Sequence, residues 1–157
     1  MKNTLKIALI ATLSFFSAAT FAASQQAEEL KKFTTWEEQN SEAIDAAFDE
    51  ASTPFASMPS EDKLNELVST YNSKVADILK SLDALEIKSP EVSELISKYK
   101  ESVNAQGESL VAAADVIKKP SPEANEKLTA ATSKLQETDN VWNALQDKLE
   151  EQFPAEE

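Results

Sequence analysis

Histidine, cysteine and arginine are absent from the 157 residues, and glycine occurs once, at Gly107. Without histidine the chain lacks the commonest general base and the usual zinc and haem ligand. Without cysteine it lacks thiol nucleophiles, disulfides and iron–sulfur ligands. One glycine cannot build a phosphate-binding loop or a dinucleotide fingerprint, which need several at fixed spacing. We therefore predict a non-enzymatic protein without metal ions or cofactors. An enzyme of unrecognised type is the remaining alternative, because serine and lysine are plentiful although no pair stands out.

The N-terminal residues have the features of a secretory signal peptide. A basic start with Lys2 and Lys6 precedes an apolar run at 7–16 and a stretch of small side chains. The apolar run is too short to span a bilayer, which needs about 20 residues. A small-x-small pattern predicts cleavage after Ala22, with cleavage after Ala19 or an uncleaved anchor as alternatives. Because no cysteine follows the cleavage point, we expect no attached lipid and a periplasmic protein free of the membrane, with extracellular release as the alternative.

The charge of the predicted mature chain is strongly acidic. Residues 23–157 contain 13 lysines and 28 acidic residues, a net charge of −15. Such a surface repels the phosphates of nucleic acids and attracts basic proteins, polyamines or metal cations. We therefore predict no nucleic-acid binding and consider a basic protein as a partner. The alternative is that the charge serves solubility alone.

Four segments of the mature chain repeat apolar side chains at alternating intervals of three and four residues, the period of an amphipathic helix. Prolines separate these segments, and Ser60, Ser89 and Ser121 precede them as helix N-caps do. The predicted helices cover about 25–51, 61–86, 90–118 and 122–152. Short connections favour packing of consecutive helices side by side, so we predict an all-α, up-down-up-down antiparallel four-helix bundle over residues 23–157. Two long helical hairpins that associate between chains are the competing architecture, and monomer and dimer both remain open.

Polar residues interrupt the apolar stripe at a similar height in each helix. Counting along the helices at about 1.5 Å per residue brings them within roughly one turn of a common level. The predicted mid-bundle polar layer consists of Glu37, Asn40, Tyr71, Gln106 and Thr138, with Gly107 beside it. Such a layer most simply fixes the register of the helices. The alternatives are a site for a cation or small polar ligand, or a shifted register in which some of these side chains face water.

Large apolar side chains outside the stripe are candidate contacts with a partner protein. The longest connection, residues 52–59, contains Phe55 and Met58, and Trp36 lies one position off the first stripe. Phe55 and Met58 either cover the end of the core or form an exposed anchor, and Trp36 either widens the core or lies at the surface. We predict that the protein binds a protein partner, as chaperones, immunity proteins and secretion accessories do. A small-ligand or cation carrier is the alternative.

Overall fold

A computed structural model of the chain describes the backbone of residues 3–154 and the side chains of residues 23–154. Its four helices are α1 (Asn3–Ser52), α2 (Glu61–Asp83), α3 (Pro90–Lys118) and α4 (Pro122–Gln152), with a short 3-10 turn at Thr53–Ser57. No strand occurs between residues 3 and 154. The predicted all-α four-helix bundle is confirmed. Helix α1 begins upstream of the predicted start near residue 25, and the side chains of residues 1–22, which form the predicted signal peptide, lie outside the described residues.

The last three helices begin where the serines predict. Ser60 Oγ accepts the backbone N–H of Lys63 at 3.4 Å, and Ser121 Oγ accepts that of Ala124 at 3.1 Å. The hydroxyl of Ser89 makes no such bond. The start of α3 is held instead by a carboxylate from α1, because Glu29 accepts the backbone N–H of Ser89.

Helix α2 ends at Asp83, earlier than the apolar pattern predicts. Leu85 and Ile87 lie in the connection between α2 and α3, and their side chains still pack against the core. The apolar pattern therefore continues through Leu85 although the helix has ended. The chain has left the helix by then, and this turn brings the N–H groups of Lys88 and Ser89 to Glu29.

Helix α3 is central to the bundle. It packs against α1, α2 and α4, most closely against α4, and it buries small side chains that let a neighbouring backbone approach: Ser102, Ala105, Gly107, Ser109 and Ala114. Helix α1 packs on α2 and α3 but hardly touches α4. Because α4 packs along α3 and not along α1, a cleft opens between α1 and α4.

The core is apolar along α1, α2 and α3 and includes an aromatic cluster around Tyr99. The Tyr99 ring makes edge-to-face contacts with Phe33, Trp36 and Trp142, at centroid distances of 5.6, 5.8 and 5.3 Å. Such contacts add stability beyond the burial of apolar area. This cluster joins α1, α3 and α4 at one end of the cleft.

Gly107 lets α2 approach α3. A Cβ atom at this position would lie 3.2 Å from Cε1 of Tyr71 and 3.1 Å from Oδ1 of Asn72. Both distances are tighter than ordinary van der Waals contact, so the single glycine makes room for the Tyr71 ring against α3.

Candidate functional site: the cleft between α1, α3 and α4

A cleft of about 320 Å³ lies where α1 and α4 separate above α3. Polar side chains from all three helices line it: Glu37, Ser41, Asp45, Gln106, Asp139 and Asn143. Its apolar surface includes Ile44, Val103 and Leu135. A concave site with a few converging polar groups is the usual form of a ligand-binding pocket. We refer to this site as the α1–α4 cleft.

The polar residues predicted to share one layer do not form a single hydrogen-bonded network. The Tyr71 hydroxyl donates to Oε1 of Gln106 at 2.8 Å, and Gln106 and Glu37 both line the cleft. Asn40 and Thr138 bond instead to carbonyls of their own helices: Asn40 Nδ2 to Trp36 at 2.7 Å, and Thr138 Oγ1 to Lys134 at 3.0 Å. Short polar side chains within helices commonly bond to a carbonyl one turn earlier.

Glu37 is a half-buried carboxylate that has no lysine partner among the side chains of residues 23–154. Burial raises its pKa above the usual range, and the negative charges of Glu150 and Glu38 act in the same direction. A hydrogen bond from Nε2 of Gln146 at 3.3 Å partly offsets this by stabilising the charged form. Since Gln146 belongs to α4, this bond links α4 to α1 beside the cleft.

Asp139 is fixed by the close packing of α3 and α4. Its carboxylate accepts a hydrogen bond from the buried hydroxyl of Ser102 on α3. Asp45 lies exposed at the edge of the same cleft. Among residues 23–154, neither aspartate forms an ion pair, and no lysine lines the cleft. The cleft is therefore uniformly negative.

Two aromatic side chains complete the lining. Trp142 is half-buried and lies edge-to-face with Tyr99. Burial raises the pKa of Tyr99, and the nearby charges of Glu37 and Asp45 raise it further, so its hydroxyl stays protonated. Together the two rings give the cleft an aromatic end.

The three candidate partner contacts occupy different environments. Trp36 is buried in the core, and its indole Nε1 donates to Ser81 Oγ at 2.8 Å. Phe55 packs half-buried against the core. Met58 is 80% exposed, at a left-handed backbone position with φ 49°. Trp36 and Phe55 thus occupy the packed positions considered for them, and Met58 alone stands free at the surface.

Four polar residues of the cleft were not found from the sequence: Ser41, Asp45, Asp139 and Asn143. Asp45 and Asp139 each lie next to a residue of the predicted stripe or layer, Ile44 and Thr138. The sequence feature that could have indicated the cleft is the set of polar side chains that flank the apolar stripe on α1 and α4. A search along the stripe alone misses them.

Two further findings concern metal binding and membrane insertion. Within the described side chains, no three acidic residues lie close enough to hold a metal ion. In the part of the chain that the structure describes, none of the helices has the length and apolar character needed to cross a membrane.

One family model matches residues 27–154, and its description is "uncharacterised lipoprotein PM1805". Neither the curated proteins nor the solved structures include a match to the chain. Lipoproteins are exported proteins held at a membrane by lipid, so the description agrees with the export predicted from the N-terminal residues. It differs from the expectation of a protein free of the membrane, which was based on the lack of a cysteine for lipid attachment. Because the match spans most of the chain, the protein belongs to this lipoprotein family.

Proposed function

We propose that this protein is an exported, non-enzymatic binding protein that holds a small ligand in the α1–α4 cleft, and that it acts in the periplasm. One observation carries the proposal: three helices converge on one concave site with carboxylate, amide, hydroxyl and indole groups. The packing of the helices creates this convergence, since α4 packs against α3 and lies apart from α1.

The proposal involves binding alone. The cleft offers carboxylates, amides and hydroxyls, which orient a polar ligand through hydrogen bonds. Histidine and cysteine, the usual bases and nucleophiles of small catalytic sites, are absent from the whole chain. Export supports the periplasm, where a small binding protein meets solutes.

The proposal is tested by a substitution that fills the cleft with a larger side chain. Ser41 lines the cleft, and the larger side chain of Ser41→Phe would occupy ligand volume. Ala46→Phe is the matched control, because Ala46 lies exposed on the same helix and does not line the cleft. A library of small polar molecules is screened by thermal shift, and each hit is measured by calorimetry. We expect a saturable 1:1 ligand whose binding Ser41→Phe abolishes and Ala46→Phe preserves. No hit in the library, or equal binding by both variants, would overturn the proposal.

A second candidate function is the binding of a basic protein through residues 52–59. The observation that favours it is the 80% exposure of Met58 beside the half-buried Phe55. Exposed methionines suit adaptable contacts, and the acidic surface would steer a basic partner. Capture from a native periplasmic extract should return one stoichiometric basic protein that Met58→Ala loses. Capture unaffected by this substitution would rule out Met58 as the contact.

A further inference from the structure

The Tyr99 hydroxyl belongs to the lining of the α1–α4 cleft and has no hydrogen-bond partner among residues 23–154. Tyr99 is only 5% exposed, yet its hydroxyl oxygen is not enclosed by protein, since the enclosed and unpartnered side-chain atoms of the described residues are Ser89 Oγ and Gln146 Oε1. Burial raises the pKa of Tyr99, and the charges of Glu37 and Asp45 raise it further, so the protonated hydroxyl lies near these two lining residues. A largely buried tyrosine therefore directs an unpaired O–H donor into the cleft.

Two further side chains of the cleft carry hydrogen-bond donors without acceptors. The Oε1 atom of Gln106 accepts the Tyr71 hydroxyl at 2.8 Å, which fixes the orientation of the amide. Its Nε2 group has no acceptor among residues 23–154. On the facing helix α1, the Ser41 hydroxyl is unpaired in the same part of the chain. Donors therefore reach the cleft from both α3 and α1.

Acceptors line the same cleft on α1 and α4. Asp139 receives one hydrogen bond, from Ser102, and a carboxylate can accept several. Asn143 donates its Nδ2 to the Asp139 carbonyl at 2.8 Å, which leaves its Oδ1 as an acceptor, and Asp45 lies exposed at the edge. A simple cation would use only these acceptors, and an anion would use only the donors and meet the negative charge. A neutral ligand with several hydroxyl groups uses both, because each hydroxyl donates and accepts.

The size and the apolar surface of the cleft match a single sugar ring. Its three walls are formed by 37–45 of α1, 99–106 of α3 and 135–143 of α4, each about two helical turns or roughly 11 Å long. The volume of about 320 Å³ equals the share of about ten water molecules at roughly 30 Å³ each. The half-buried Trp142 and the neighbouring Val103 offer apolar surface to the C–H groups of such a ring.

From these observations we infer that the α1–α4 cleft binds a neutral monosaccharide of hexose size. Its hydroxyls accept hydrogen bonds from Tyr99 and Gln106 and donate to Asp139 and Asn143, while its C–H groups pack toward Trp142. Hydrogen bonds to a carboxylate are stronger than those between neutral groups. The inference rests on the proposed function and deepens it by naming the class of ligand.

The experiment compares matched probes by calorimetry with the purified protein at constant ionic strength. The neutral sugars are D-glucose, D-galactose and D-mannose, and each has its uronate as an anionic match. Cyclohexanol provides a six-membered ring with one hydroxyl, and cyclohexylammonium provides the same ring with a positive charge. We expect saturable 1:1 binding of at least one of the three hexoses. Its uronate, cyclohexanol and cyclohexylammonium should each bind at least about tenfold more weakly.

Two variants locate the binding, one on each side of the cleft. Tyr99→Phe removes only the unpaired hydroxyl, and Asn143→Ala removes an acceptor of α4. We expect each to weaken hexose binding about fivefold. The matched controls are Asn104→Ala on α3 and Asn140→Ala on α4, because both asparagines are exposed and do not line the cleft. Each control should change hexose binding by less than about twofold.

The outcomes separate the two proposals. Binding of the uronate, cyclohexanol or cyclohexylammonium as tight as that of the hexose would overturn the ligand class and leave the cleft as a ligand site. Hexose binding that neither Tyr99→Phe nor Asn143→Ala weakens would overturn the placement of the sugar in the cleft. Failure of all three hexoses, while the library yields a ligand whose binding Ser41→Phe abolishes, would overturn the ligand class alone. Failure of the hexoses and of the library would overturn both proposals.

Discussion

The carboxylate of Glu29 accepts the backbone N–H of Ser89 at 2.8 Å, although 60 residues separate them in the chain. It also accepts the N–H of Lys88 at 3.1 Å and the side-chain amide of Gln25 at 2.8 Å. Glu29 is only 3% exposed. A carboxylate at this place satisfies N–H groups at the start of α3 and faces the positive end of its dipole. Helix α1 therefore supplies the cap that the Ser89 hydroxyl does not.

Replacing Glu29 by glutamine should lower the free energy of unfolding. Glutamine keeps one acceptor but places an N–H₂ group near backbone donors, so at least one charged hydrogen bond is lost. We expect a loss of about 1.5–3 kcal/mol, measured by urea unfolding at pH 7. Glu28→Gln is the matched control, since Glu28 is exposed and forms a surface ion pair with Lys32; it should change stability by less than about 0.5 kcal/mol. Equal effects of the two substitutions would show that the Glu29 bonds contribute nothing measurable.

The same carboxylate gives a prediction about acid stability. Burial alone would raise the pKa of Glu29, but hydrogen bonds from Gln25, Ser89 and Lys88 outweigh it and lower the pKa from 4.5 to about 2. A lowered pKa in the folded state stabilises the fold above the ordinary pKa, and this contribution is lost as the pH falls through the folded value. Urea unfolding between pH 7 and pH 2 should therefore show a constant gap between the native protein and Glu29→Gln above about pH 4.5. The gap should shrink toward pH 2. A gap that does not change with pH would contradict the lowered pKa.

Removing the Tyr71 hydroxyl should destabilise the bundle. This group donates to Gln106 at 2.8 Å and lies 3.3 Å from the Val103 carbonyl, in the centre of the fold. We expect Tyr71→Phe to lower the free energy of unfolding by about 0.5–1.5 kcal/mol. Tyr99→Phe is the matched control, because among the described residues the Tyr99 hydroxyl has no hydrogen-bond partner and should contribute less. A larger loss in Tyr99→Phe than in Tyr71→Phe would contradict the assignment.

Trp36 and Met58 should respond in opposite ways to truncation. Trp36 is buried against Tyr99 and hydrogen-bonded to Ser81, so Trp36→Ala should cost about 3–5 kcal/mol. Met58 is 80% exposed, and Met58→Ala should change stability by less than about 0.5 kcal/mol. Thermal unfolding followed by circular dichroism measures both. A small effect at Trp36 would show that the indole is not part of the core.

The helices could be predicted from the sequence because their signals are local. Apolar side chains repeat at intervals of three and four residues within each segment. Val75 on α2 and Val103 on α3 belong to these stripes, and both are buried as predicted. The caps at Ser60 and Ser121 involve residues three positions apart. Local spacing of this kind is fixed by the geometry of a helix.

The cleft and the Glu29 cap could not be predicted in the same way. Glu29 meets Ser89 only after two helices have packed, and neither residue belongs to an apolar stripe. The cleft depends on which neighbour each helix approaches: α4 packs closely on α3, where Ser102 donates to Asp139, and hardly touches α1. An apolar stripe shows which face of a helix is buried. It does not show which of the other three helices that face packs against most closely. The bonds of Asn40 and Thr138 to their own helices were likewise not visible in the spacing of the predicted layer.

The most direct test of a ligand site in the α1–α4 cleft uses the two tryptophans of the chain, Trp36 and Trp142. Trp142 lines the cleft, whereas Trp36 is buried and does not. The two indole N–H signals are followed in ¹H–¹⁵N spectra while a ligand identified in the thermal-shift screen is added. Our account predicts that the Trp142 signal shifts saturably and that the Trp36 signal moves much less. A Trp142 signal that stays in place at saturating ligand would contradict it.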